Sequence, residues 1–271
     1  MSVSQHPIAL RIEQAVGGQA ALLATVMFLP LIDGVFAALV LAGALDSIAG
    51  VVMVGLLIFA GSATVAVIVA EFDGSPTECA KIVLLVGIPL IILSAAVAAL
   101  APTIASVIDL AIFERFAALV ILAIAAQTAS AKIGQYLPKP AVIIGLGLIA
   151  SINPSGAEFA LAPEVDLIIK GAAAAGIGVV FSLLLALGGP QLRSNVDLDR
   201  FRFGSAVSLG LLPLSILGAP FGEYAPLAVL VMSAVFAYNP SEDTVEAPAK
   251  EIEEGYAQLE HEDEAERAPW L

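Results

Sequence analysis

Long apolar runs separated by short polar breaks dominate the chain. The runs fall near residues 20–43, 48–70, 80–101, 106–130, 140–161, 165–187, 203–219 and 223–239. A helix needs roughly 20 mostly apolar residues to cross the hydrocarbon core of a bilayer. The first six runs reach that length and the last two are shorter. The breaks carry Asp46 and Ser47, then EFDGSPTE, Pro102, KIGQYLPKP, Pro163 and Glu164, residues 188–202, and residues 218–222. The pattern predicts an all-α fold, a polytopic transmembrane helix bundle of about eight spans over residues 1–239. Residues 240–271 follow as an acidic tail, expected to be largely disordered apart from a short helical spacing of Ile252, Tyr256 and Leu259.

Composition agrees with the pattern. The 271 residues are 59% hydrophobic and 13% charged, with a mean hydropathy of +0.98. A soluble domain carries roughly 25% charged residues, so water could not be the only solvent of this surface. The basic residues also set an orientation. With the N-terminus inside and every run crossing, Arg11, Lys81, Lys132, Lys139, Arg193, Arg200, Arg202, Lys250 and Arg267 lie in the cytoplasm and Arg115 alone outside. That asymmetry predicts a cell-membrane protein with both termini cytoplasmic. The start, MSVSQHPIALRIEQAVGGQ, has one base and no cleavage pattern, so the first span is expected to direct insertion itself.

The tail holds eleven of the 25 acids against Lys250 and Arg267, a net of −9. An acidic tail behind an apolar body excludes a nucleic-acid footprint, which must be basic. The lipid bilayer is the partner that composition requires; a small solute or ion and a homo-oligomer are left open. Residues 195–203 (NVDLDRFRF) pair Asp197 with Arg200 and Asp199 with Arg202 at i,i+3. They read either as a segment at the inner interface or as a charged loop.

Within the runs, prolines at 30, 89, 154 and 213 mark alternate segments, and each is a candidate kink. Two sites add polar groups. In the first run Pro30, Asp33 and Gly34 stand together, and a carboxylate at that depth costs ~2.5–3.5 kcal/mol unless it meets a cavity, a partner or an ion. In the fifth, Asn153, Pro154, Ser155 and Gly156 precede Glu158. Either they interrupt a spanning helix or the helix ends at Asn153 and an external loop follows. Lys170, about 9 Å into the sixth run, is expected to snorkel or pair with Asp166 at i,i+4. The sharper alternative is an ion pair with Asp33. Matching breaks in the two halves of the chain predict that Asp33 and the Asn153 break share one polar site in the outer half of the membrane.

The motifs of soluble catalysis are missing. The two histidines, His6 and His261, lie in the terminal segments, Cys79 is the single cysteine, and no HExxH, CxxC or GxxxxGK[ST] occurs. An intramembrane Asp33–Asp109 dyad is disfavoured because Asp109 sits near a helix end beside Glu114 and Arg115. No enzyme and no cofactor is expected.

The strings MFLPLIDGVFAALVLAGALDS, FERFAALVILAIAAQTASAKIG, VIIGLGLIASINPSG and DLDRFRFGSAVSLGLLPLS together resemble a haloarchaeal family of multi-pass membrane proteins of unknown function. The resemblance implies a membrane topology and a high-salt cytoplasm, in which an acidic tail stays soluble, and no mechanism. A fainter similarity links the proline-bearing first helix to small transporters of the lysine-exporter type. Two readings of function follow from the residues. One is a secondary transporter or permease for a small solute or ion, working at Pro30, Asp33, Gly34, Asn153, Pro154, Ser155, Gly156, Glu158 and Lys170. The other is a non-catalytic membrane scaffold or partner subunit. An intramembrane enzyme stands third.

Overall fold

The structure is a computed structural model that describes residues 7–72, 74–153, 164–217 and 224–238. Every regular element among them is helical, and the only β pairings there are isolated bridges between Ile108 and Ile152 and between Val196 and Tyr238.

Helix α1 (Pro7–Ile32) contains Pro30 and stops just beyond it. Gly34 then takes a left-handed conformation, φ 76°, which glycine adopts without steric cost, and the chain restarts as α2 (Val35–Leu41). Ser47 begins α3 (Ile48–Val54) by accepting a hydrogen bond from the Gly50 amide. The same rod widens into a π-helical turn at Gly55–Phe59, breaks at Ala60 and Gly61, resumes as α4 (Ser62–Ala66), and ends in a second π turn at Val67–Glu71. The two halves meet at 49°. The Thr64 hydroxyl donates back across the break to the Phe59 carbonyl at 3.0 Å.

A capping box of Ser75 and Glu78, followed by Pro76, starts α5 (Pro76–Ala105). Asp109 caps α6 (Leu110–Ala129). After a turn of helix, α7 (Ala131–Gly134), come α8 (Pro140–Ser151), α9 (Val165–Leu187), α10 (Gly189–Asn195), α11 (Leu198–Ile216) and α12 (Ala225–Ala237).

Four stretches are long and apolar enough to cross a membrane: Gly18–Leu41, α5, α6 and α9. The bent pair Ile48–Phe59 and Ser62–Glu71 makes a fifth if it is one span. Four or five candidate spans among the described residues thus stand against the eight predicted from hydropathy. Length is the reason. At 1.5 Å per residue, α8 (12 residues) and α12 (13 residues) cover only ~18–20 Å of a core ~30 Å thick. The apolar runs they belong to continue into residues 154–163 and 218–223, outside the described residues. Helix α11 has 19 residues but opens on Asp199, Arg200 and Arg202.

Small residues let the helices approach closely, the packing expected where lipid, not water, is the competing solvent. A Cβ at Gly87 would meet Val179 at 2.6 Å, one at Gly171 would meet the Cβ of Ala98 at 2.6 Å, and one at Gly178 would meet that of Phe59 at 2.7 Å. Helices α5 and α9 and the Gly55–Phe59 turn therefore touch nearly backbone to backbone. The rings of Phe36 and Phe59 meet with centroids 5.1 Å apart in the same core. The outer face of α5 carries Leu85, Ile88, Ile92 and Leu93, and Ile92 is 63% exposed. A row of that kind suits acyl chains and would be a liability in water.

Hydrogen bonds tie helix ends together at two levels. The Asp109 amide donates to the Ser151 carbonyl and the Asn153 amide to the Val107 carbonyl, joining the start of α6 to the end of α8. The Asp197 amide donates to the Ala237 carbonyl, joining the start of α11 to the end of α12. The Gln19 side chain donates to the Glu71 carbonyl at 2.9 Å.

Candidate functional site

The two interrupted helices open onto one cavity of about 480 Å³. Val26, Leu29, Pro30 and Asp33 line it from α1, and Val35 from α2. Across from them stand Leu57 and Ile58 of the π turn, Gly61 of the break, and Ser62, Ala63, Thr64 and Ala66 of α4. Ile124, Gln127 and Thr128 from the end of α6, Pro140 at the start of α8, and Arg202 and Leu209 of α11 complete the lining. Its volume is in the range of small-molecule sites, and its walls are mostly apolar with a few polar groups, as such sites are.

Local chemistry explains the two breaks. Pro30 removes one backbone bond from α1, and Gly34 supplies the left-handed turn; Asp33, between them, is half-buried and lines the cavity. In the facing rod, Gly61 permits the bend because a Cβ there would lie 2.6 Å from the Leu57 carbonyl oxygen. π turns flank the bend on both sides, and such wider turns recur at functional positions because they displace side chains from the α-helical register. Arg202 reaches the cavity from α11, and its Nε donates to the Thr128 carbonyl at 2.9 Å. Asp33 and Arg202 form no ion pair with each other, and the Asp33 carboxylate has no hydrogen-bond partner among the described residues.

The residues singled out from the sequence fall in different places. Pro30 and Asp33 line the cavity, and Gly34 sets its geometry from the adjoining turn, next to Ile144. Asn153 lies at the other end of α8 from the cavity-lining Pro140, a helix of 12 residues or ~18 Å away, and its amide is held by Val107. Helix α8 itself ends at Ser151, before Asn153. Pro154, Ser155, Gly156 and Glu158 lie outside the described residues. Lys170 pairs with Asp166 at 2.8 Å and donates to the Asp46 carbonyl, so the i,i+4 pairing forms and Lys170 is not in the lining of the Asp33 cavity. Asp33 therefore shares its cavity with the ends of α6, α8 and α11 opposite to Asn153.

Residues 90–217 match a family of unknown function (DUF5794). The matched stretch contains one wall of the cavity, from Ile124 to Leu209, while Asp33 and the Gly61 break precede it. No curated protein and no solved structure matches the chain.

Sequence reasoning missed the second break and Arg202. The Ala60, Gly61, Ser62 break has no proline and sits in an unbroken apolar run, where only the succession of small residues hints at it. Arg202 belongs to a charged segment in the sequence, but its place in the lining of the cavity that Asp33 also lines is tertiary.

Proposed function

We propose that this chain is a secondary transporter or permease for a small solute or ion, working at the cavity between the two interrupted helices. One observation carries the reading: two helices break at the same cavity, at Asp33 and Gly34 and at Ala60 and Gly61, and Asp33, whose carboxylate has no partner among the described residues, lines that cavity. Interrupted backbone at membrane depth is stable only where protein or water satisfies it. Discontinuous helices around a central polar cavity are the recurring way transporters build a site.

The reading includes a topology of eight crossings with both termini in the cytoplasm, α8, α11 and α12 being the short ones. Three contacts support it, since each joins ends that alternation puts on one side: Gln19 with Glu71, Val107 and Asp109 with Ser151 and Asn153, and Asp197 with Ala237. Arg202 with Thr128 is a fourth, on the cytoplasmic side. The cavity then opens from the middle of the bilayer toward the cytoplasm.

The test is flux in proteoliposomes holding the full chain, recorded as charge displacement or tracer uptake with sodium, potassium, a neutral amino acid, an amine and a carboxylate offered one at a time. At least one should move faster than in protein-free vesicles. Asp33→Asn, which keeps size and removes charge, should lower that flux at least about tenfold, the scale of one lost charged contact. Flux unchanged in Asp33→Asn would remove Asp33 from the site, and no flux of any solute would overturn the reading.

A further inference from the structure

We infer that the cavity takes a small zwitterion: a cationic nitrogen held by Asp33 and a carboxylate held by Arg202. The inference rests on the cavity's role as the transport site and adds the class of solute. It starts from the charges. Asp33 and Arg202 line one cavity of about 480 Å³ yet form no ion pair with each other. Asp33 is half-buried and Arg202 exposed at the open side of the same mostly apolar cavity, so each offers a charge that the other does not neutralise. A solute carrying both charges would satisfy both at once and bring no net charge into the membrane. A simple cation would answer Asp33 and leave Arg202 opposed, and a simple anion would do the reverse.

The geometry of Arg202 fits the role. Its Nε is committed to the Thr128 carbonyl, which fixes the guanidinium plane and leaves the terminal N–H groups as a fork for a carboxylate. Asp33 offers a carboxylate held at the end of α1 by Pro30 and by the turn at Gly34. In the same lining, Leu29, Val35, Leu57, Ile58 and Ile124 supply apolar walls, so the preferred zwitterion has a small apolar body.

The experiment compares three probes of one shape on the full chain in detergent, by calorimetric titration. L-leucine carries both charges, 4-methylpentanoate lacks the ammonium, and isopentylamine lacks the carboxylate. Leucine should bind at least about tenfold tighter than either analogue, the worth of one charge-assisted contact. Asp33→Asn should weaken leucine and abolish its preference over 4-methylpentanoate, while 4-methylpentanoate, no longer opposed by a carboxylate, should bind no more weakly than before. Arg202→Gln should abolish the preference for leucine over isopentylamine in the same way. Unchanged thermal transitions of both variants would separate these losses from misfolding. Equal binding of all three probes, or variants that weaken every probe alike, would overturn the inference. Leucine binding without flux would instead count against transport and leave the solute class standing; flux of sodium or an amine with no leucine binding would do the opposite.

Discussion

Gly171 shows how little room single residues have in this bundle. An added Cβ would meet Ala98 at 2.6 Å and the Ser94 carbonyl oxygen at 3.2 Å, whereas nothing lies within 4 Å of a Cβ at Gly176, five residues along the same helix. Gly171→Leu should therefore destabilise the protein by about 1–3 kcal/mol through overpacking. Gly176→Ala should be neutral or stabilise by up to about 1 kcal/mol through helix propensity. Thermal unfolding in detergent checks both, and equal effects would contradict the α5–α9 packing. Legibility at this scale follows locality. The Lys170–Asp166 pair can be read from spacing alone, because i,i+4 neighbours meet on any helix. Asp33 stands out because a carboxylate in an apolar run is rare. Arg202 does not, since the Thr128 carbonyl that orients it lies 74 residues away in sequence.

Elements repeat the contrast. The Pro30 and Gly34 break was readable because proline and glycine change backbone geometry wherever they stand. The break at Ala60 and Gly61 is not, because no proline marks it: Gly61 omits a Cβ that would lie 2.6 Å from the Leu57 carbonyl oxygen, and Gly178 of α9, distant in sequence, leaves room for the Phe59 Cβ beside it. The bend depends in part on the Thr64 hydroxyl bonded to the Phe59 carbonyl inside the core. Thr64→Val should cost about 1–3 kcal/mol, the penalty for a buried acceptor losing its donor. It should also speed hydrogen exchange of the amides around residues 60–65. Thr25→Val removes a similar back-bond, to the Ala21 carbonyl, from an exposed position on the regular part of α1 ahead of Pro30 and should change little. Equal effects of the two substitutions would mean that the bend does not rely on Thr64.

For the molecule as a whole, hydropathy found the apolar segments in their order, and the structure has a helix in each. Which segments are long enough to cross could not be read, because the runs near 140–161 and 223–239 contain helices shorter than the runs themselves. Nor can the neighbours of Asp33 be read: they depend on which helix ends converge, and the sequence alone suggests Asn153 where the fold brings Pro140 and Arg202 to the same cavity. The central claim is that this convergence makes a cavity water reaches inside the membrane domain. It is tested most directly by placing one cysteine at Ala63, on the α4 wall, in a chain whose buried Cys79 has been changed to Ala. Its rate of reaction with a small charged thiol reagent, which acyl chains exclude, is compared with that of a cysteine at the exposed, apolar Ile92 of α5. The account predicts that Ala63→Cys reacts from at least one face of the membrane and much faster than Ile92→Cys, and that Asp33→Lys in the same chain changes its rate. An Ala63→Cys that reacts from neither face, or no faster than Ile92→Cys, would contradict it.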